Sequence, residues 1–266
     1  MALPQLGVGL GYRGALRQDI LRHLPEFGFL EVITDNFFRN ERGLQALASL
    51  VPCIPHSLNL SVGSSVDPAY LANVKRLVAL LDPPWHTDHL AFTRERGLSI
   101  GHLAPVAYND ESLALVVANV QRVQRELGGT FALENIAMPF YWPTDTMEEG
   151  AFLNEVVRRT GCGLLLDLEN LRCNAVNHGT SPRRLLDVLP LEKVVQLHIA
   201  GGVSDGPLEH DTHSAPVPEG TWKLLEDFCE RARPPGVLLE RDANFGDFAG
   251  LLADLRRAKT VLEKAG

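Results

Sequence analysis

Eight short runs rich in Val, Ile, Leu and Phe recur along the chain, and a stretch of helical periodicity separates each from the next. The runs cover 6–10, 27–34, 53–60, 87–92, 130–136, 162–168, 194–200 and 237–241. Most are continuously apolar rather than alternating with polar residues, the pattern of strands buried on both faces of a parallel sheet. Between them, Asp67 caps and Pro68 opens a helix that runs to Leu81. Asn109 or Asp110 opens the next, which runs to Leu127 and stops at Gly128-Gly129. Ser181-Pro182 repeats the cap-plus-proline signature before 185–189, and 14–24, 41–50, 147–159, 218–231 and 245–262 are helical by the same periodicity. Strand then helix, eight times in about 250 residues, is the arithmetic of a (β/α)8 TIM barrel. Residues 1–266 are expected to form one such α/β domain. A doubly wound sheet would carry a Gly-rich turn of GxGxxG spacing after its first strand. Gly7-Val8-Gly9-Leu10-Gly11 lacks that spacing.

The chain is 45% hydrophobic with a mean hydropathy of −0.02, which excludes a disordered or low-complexity polymer. Lys and Arg number 25 against 33 Asp and Glu, a net charge of −8, which argues against nucleic acid as a partner. No run of about 20 apolar residues is present to span a bilayer. The start, Met-Ala-Leu-Pro, lacks the basic-then-apolar pattern of a secretory signal. Cys53, Cys162, Cys173 and Cys229 are far apart and form no CxxC pair, as expected of reduced thiols in a cytoplasmic protein.

The chemistry lies at the C-terminal ends of the runs. His56 ends the third; the fourth carries His89, the fifth Glu134 and Asn135, and the sixth Asp167, with Asn170 three residues on. The seventh carries His198, followed by Asp211-Thr212-His213, and the eighth ends in Glu240. A barrel brings those ends to one mouth, where active sites are built. Burying Glu134, Asp167, Asp211 and Glu240 together is costly without cations, and Arg241 alternates to the other face of its strand. Imidazoles and carboxylates without thiolate suit zinc, iron or manganese. The set is too large for one ion, and three ions would share it. Glu134 is placed to bridge. His56 and His89 would complete one site, Asp167, His198 and Glu240 a second, and Asn170, Asp211 and His213 a third. Glu134, Asp167, His198, Asp211 and His213 are the candidate catalytic residues.

A second tier borders the mouth. Glu31, Asp35 and Asn36 close the second strand and would bind a peptide backbone, organise a ligand or cap a turn. Asn59, Asn135 and Arg241 join Glu31 and Asn36 as candidate substrate-binding residues. Arg13, Arg94, Arg172 and Arg241 would attract an acidic peptide or form ordinary ion pairs. Phe140-Tyr141-Trp142-Pro143 would wall a peptide or pack as a turn. His178 reads as a turn residue, His86 as the N-terminal end of its strand, and His23 and His210 as surface.

The ligand order His, His, Glu, Asp-x-x-Asn, His, Asp-x-His, Glu is similar to that of endonuclease IV, a trinuclear zinc enzyme, and in reduced form to sugar isomerases. The surrounding motifs point to another family. Gly7-Val8-Gly9-Leu10-Gly11-Tyr12-Arg13, His56-Ser57-Leu58-Asn59-Leu60-Ser61-Val62-Gly63-Ser64, Asp88-His89-Leu90-Ala91-Phe92, Leu133-Glu134-Asn135, Asn177-His178-Gly179, His198-Ile199-Ala200-Gly201-Gly202 and Asp211-Thr212-His213-Ser214 resemble domain-of-unknown-function family 692, the multinuclear non-haem iron-dependent oxidative enzymes. The resemblance covers nearly the whole chain. It implies a xylose-isomerase-like or endonuclease-IV-like TIM barrel holding two or three iron ions (Fe2+/Fe3+), with zinc able to replace them and dioxygen as co-substrate. It also implies oxidative modification of a ribosomally synthesised precursor peptide, often at cysteine, together with a partner protein that binds the leader. The chain departs from the family pattern at Glu169, at Arg172 and through 102–108. The competing readings are a zinc phosphodiesterase and a metal-dependent sugar isomerase. Asn170 in place of His and the acidic charge weigh against the first. The second needs a Lys or His beside two metals, and the only Lys in the mouth-forming strands is Lys193, at a strand start.

Overall fold

The computed structural model describes residues 2–95 and 97–264. Parallel strands β1 (Gly7–Gly11), β2 (Leu30–Ile33), β3 (Cys53–His56), β4 (His86–His89), β7 (Phe131–Glu134), β8 (Gly163–Asp167), β9 (Val194–Ile199) and β12 (Gly236–Leu239) close into a barrel, β12 pairing back onto β1. Two antiparallel hairpins stand apart from it, β5 (Ala91–Glu95) with β6 (Leu98–Pro105) and β10 (Val203–Asp205) with β11 (Leu208–His210). Helices α1 (Arg17–Arg22), α2 (Glu41–Ala48), α3 (Pro68–Leu81), α4 (Asp110–Leu127), α5 (Glu149–Thr160), α6 (Leu168–His178), α7 (Arg183–Val188), α8 (Glu219–Arg231) and α9 (Phe248–Lys264) lie between the strands in sequence. This is the TIM barrel the sequence predicts.

The predicted helix signals act as expected. The Asp67 side chain accepts from the backbone N–H groups of Ala69 and Tyr70, and Asn109 accepts from that of Ser112. Three elements differ from expectation. Residues 87–92 read as one run, but β4 ends at His89 and Ala91 already begins the first hairpin. Apolar Leu90 and Phe92 hide that break. Residues 14–24 break into two short 3-10 turns around α1. The third, α6, begins directly at the end of β8. Its buried positions include Glu169, Asn170 and Asn174, so it carries no clean apolar stripe to announce it.

Period-two alternation along each strand layers the barrel interior. Phe29, Ile54, Trp85, Ala132 and Leu238 form a dry plug at its lower end. Each such large apolar side chain contributes roughly 1.5–3 kcal/mol on burial. Gly9 and Gly236 make room for it: a Cβ at Gly9 would sit 2.7 Å from Phe29, and one at Gly236 would sit 3.1 Å from both Phe29 and Trp85. The glycines of β1 therefore serve core packing. Two residues beyond the plug on the same strands come Glu31, His56, Glu134 and Glu240. The register sets ligands side by side, with His89 opposite Glu134 and Asp167 opposite His198. His86 opens β4, where burial pushes its imidazole down to about 4. The four cysteines are buried and unpaired.

Candidate metal centre

Nine polar side chains meet above the plug in three adjoining groups. In the first, His56 Nε2 and His89 Nε2 lie 3.6 and 3.4 Å from Glu134 Oε2. In the second, His198 Nδ1 lies 3.4 Å from Glu134 Oε1, 3.1 Å from Glu240 Oε2 and 3.8 Å from Asp167 Oδ2. In the third, His213 Nε2 lies 2.8 Å from Asp211 Oδ1 and 3.9 Å from Asp167 Oδ2. Glu134 thus gives one oxygen to each of the first two groups, and Asp167 Oδ2 stands between the second and third. Asn170 sits beside Asp167 on the first turn of α6. Its N–H donates to Asp167 Oδ1 at 2.8 Å, and its amide donates to the Asn135 carbonyl at 3.2 Å, which leaves Oδ1 free.

The donor set fits metal ions by a direct test. Glu134 Oε2, Asp167 Oδ2, Asn170 Oδ1, His198 Nδ1, Asp211 Oδ1 and His213 Nε2 are buried atoms with no aligned hydrogen-bond partner. Each such orphan costs about 1–3 kcal/mol unless something compensates it. Groups formed by His56, His89 and Glu134, by Glu134, Asp167 and His198, and by Asp167, His213 and Glu240 are each tight enough to share one ion. Electrostatics tells the same story. Burial drives the Asp167 carboxyl well above its ordinary value, and Asp211 and Glu134 push it the same way. Burial opposes ionisation of Glu134 too, but His89, His198 and His56 hold its carboxyl at about 2. A bound cation would supply the positive charge that these carboxylates otherwise draw from imidazolium.

The surrounding residues fix the ligands. His56 Nδ1 meets Thr87 Oγ1 at 2.7 Å, which directs Nε2 to Glu134. Arg13 donates to Glu240 Oε1 at 2.8 Å and to Asp242 Oδ1 at 2.6 Å, so Glu240 keeps Oε2 for the second group. Asp242 also lies 3.2 Å from His213 Nδ1. The His213 backbone is left-handed, at φ 47°, a conformation that costs a non-glycine residue about 1–3 kcal/mol and gathers at functional sites. Below the ligands, His198 Nε2 meets Glu31 Oε2 at 3.0 Å, and Gln196 donates to the same oxygen at 2.5 Å. Trp85 donates to Gln196 in turn. Glu31 therefore holds the His198 ring in place. Glu31→Gln is expected to weaken metal binding about 10–100-fold, the usual effect of losing an outer-shell carboxylate, and competition with a chelator measures it.

Most other second-tier side chains are engaged by protein groups. Asn135 is buried, donates to the Asp167 carbonyl at 3.1 Å and accepts its N–H at 2.8 Å, so its amide clamps the end of β8. Arg241 is buried in the field of Asp254 on α9, and Arg13 is the cation that reaches the ligand set. Asn59 donates to Asp35 at 3.1 Å, and Asn36 is exposed on a 3-10 turn. His178 bonds the Met138 carbonyl through Nε2 at 2.7 Å, His23 packs on Phe248 rather than lying free, and Arg94 pairs with Asp67. Thr87, Gln196 and Asp242 were not singled out from sequence. Each lies two residues from a candidate ligand (His89, His198 and Glu240), which is the signal that could have found them.

Glu169 and Arg172, the departures in α6, form their own network. Arg172 makes a two-pronged contact with Glu169 at 2.7 and 2.9 Å and reaches Glu209 of β11 at 2.8 Å. Glu169 also accepts from Thr221 Oγ1 at 2.5 Å and from the Gly202 N–H at 3.2 Å. This ties the second hairpin, which leads into Asp211, to α6 and α8. Arg172→Met leaves the buried Glu169 charge without its cation, so stability is expected to fall by about 3 kcal/mol in urea unfolding. Adding Glu169→Gln is expected to recover part of the loss.

Comparison with known proteins extends the description. A family model described as RiPP precursor modification enzyme MbnB/TglH/ChrH matches residues 7–263. A UPF0276 protein of Streptomyces avermitilis is 37% identical over 276 residues, which cover 99% of this chain. This chain spans only 56% of that relative's length. A UPF0276 protein of Caulobacter vibrioides is 36% identical over 263 residues, covering 96% of this chain and 94% of its own. Among solved structures, D-psicose 3-epimerase from Clostridium cellulolyticum H10 aligns with a TM-score of 0.57 at 12% identity, over 97% of each chain. The 3-keto-D-glucoside 4-epimerase YcjR of E. coli aligns at 0.60 and 14%, over 95% of this chain and 98% of its own. At such identities the likeness is one of fold.

Proposed function

The chain belongs to the MbnB/TglH/ChrH family of RiPP precursor modification enzymes, and on that footing we propose that it is an iron- and dioxygen-dependent oxidoreductase that modifies a ribosomally synthesised precursor peptide at cysteine. The observation that carries the reading is the run of three joined ligand groups with buried, partnerless donor atoms at one barrel mouth. His56, His89 and Glu134 would hold one ion, Glu134, Asp167, His198 and Glu240 a second, and Asn170, Asp211 and His213 a third. Iron held there would supply redox chemistry with dioxygen as co-substrate, and zinc fits the same oxygen and nitrogen donors. The protein's own part is to fix those donors and to limit water. His198 and Asp167 are fully enclosed, whereas the Asp211 and His213 side chains are 11% and 16% exposed, so the peptide approaches on their side. Exposed Phe140 and Tyr141 stand on the β7–α5 loop as a surface for it.

A leader-binding partner protein belongs to the same reading, as does a reducing cytoplasmic location for the four free thiols. No helix among the described residues is long and apolar enough to cross a membrane. The phosphodiesterase reading needs free cations near the mouth to hold phosphate. Arg13 is committed to Glu240 and Asp242, and Arg172 to Glu169 and Glu209. The test is to mix anaerobically purified, iron-loaded protein with the cysteine-containing peptide encoded beside its gene and any neighbouring leader-binding protein, then admit oxygen. A peptide mass change in step with oxygen consumption, lost in a Cys→Ser peptide, is expected. An unchanged peptide, or equal conversion by zinc-loaded protein without oxygen, would reject the reading.

A further inference from the structure

A second cavity, of about 570 Å³, opens between the β7–α5 loop, the start of α5, and helices α6 and α7. That is the size of a small-ligand pocket. Tyr108, Tyr141, Met147, Leu171, Leu185 and Val188 supply apolar walls. Its charged lining among the described residues is three carboxylates and one guanidinium: Asp145, Glu148, Glu149 and Arg184. Arg184 is spent on Glu148 at 2.5 Å. Asp145 is spent on backbone, accepting from the N–H groups of Tyr108 at 2.6 Å and Trp142 at 2.9 Å. Glu149 remains: it lines the cavity, half-buried in the first turn of α5, and among the described residues it makes neither hydrogen bond nor ion pair. Partial burial raises that carboxyl to about 7. The Tyr141 ring, held against His178 at a centroid distance of 4.5 Å, offers a face beside it.

Position links this cavity to the metal centre. The β7–α5 loop begins at Glu134, and α6 is capped by Asp167, so both elements that form the cavity also carry ligands. Asn174 locks them together, accepting from the Met138 N–H at 2.6 Å and donating to the Ile136 carbonyl at 3.0 Å. Resting on the peptide-modifying function proposed above, we propose that the cavity anchors a basic side chain of the substrate peptide, its cation on Glu149 and its aliphatic stem along Tyr141, Leu171 and Leu185. The charge balance selects a cation, the apolar walls select a long stem, and the aromatic face suits both.

The test uses blocked tripeptides, acetyl-Gly-Lys-Gly-amide and its norleucine and glutamate counterparts, titrated into the full-length protein and followed by NMR chemical shifts. The lysine peptide is expected to bind about tenfold or more tightly than the norleucine peptide, as a charge-assisted hydrogen bond allows, and the glutamate peptide not at all. Glu149→Gln is expected to erase the lysine preference while leaving the norleucine affinity unchanged. Tyr141→Ala, at an exposed position that leaves the core intact, is expected to weaken both severalfold. Equal affinity for all three peptides, or a lysine preference that persists in Glu149→Gln, would overturn the proposal. The titration reads binding without turnover, so its failure is separate from failure of the oxidation assay.

Discussion

Glu134→Ala is expected to remove two metal ions from the protein rather than one, and to lower activity by more than about 100-fold. The side chain has one oxygen 3.6 and 3.4 Å from His56 and His89, and the other 3.4 Å from His198. Among the described residues, no other carboxylate lies within 4 Å of imidazoles from both groups. Loss of an outer-shell residue already costs up to about 100-fold in metal affinity or activity, so loss of a bridging ligand should exceed that. Metal analysis and oxygen consumption on the same sample check the claim. A variant that loses a single ion and keeps activity would show that Glu134 does not bridge.

Asp211→Ala is expected to act at the other end of the set. The third proposed group would combine a neutral amide oxygen from Asn170 with Asp211 and His213, whose side chains are 11% and 16% exposed. An amide is a weaker donor than an imidazole, so this ion should be the first lost. The substitution should empty that position alone and lower turnover by at least about tenfold, with the other two ions retained. Asn170→His should raise occupancy there. Equal metal loss at every position in both Asp211→Ala and Glu134→Ala would contradict the assignment of the third group as the weak one.

The barrel was legible because most of its strands are continuous apolar runs and several of its helices carry strong caps, as at Asp67 and Asn109. The ligand positions were legible because period-two alternation carries a barrel-lining residue to the mouth at each strand end: Ile54 leads to His56, Ala132 to Glu134 and Leu238 to Glu240. What stayed hidden depends on contacts between distant segments. Helix α6 buries polar residues because a neighbouring loop and hairpin need their hydrogen bonds, and that erases the apolar stripe. Arg13 lies 227 residues from Glu240, and no local pattern announces their pairing. Asn135 and Arg241 border ligands in sequence, yet backbone bonds claim one and burial near Asp254 the other.

We propose that these nine side chains hold several iron ions at one mouth. Diffraction from anaerobically grown crystals, recorded on both sides of the iron absorption edge, tests it most directly. The account predicts iron-specific peaks beside His56 and His89, beside His198 Nδ1 and, more weakly, beside His213 Nε2, with the first two bridged by Glu134. Absence of iron from those positions in protein prepared without oxygen, with zinc as the only metal bound, would contradict it.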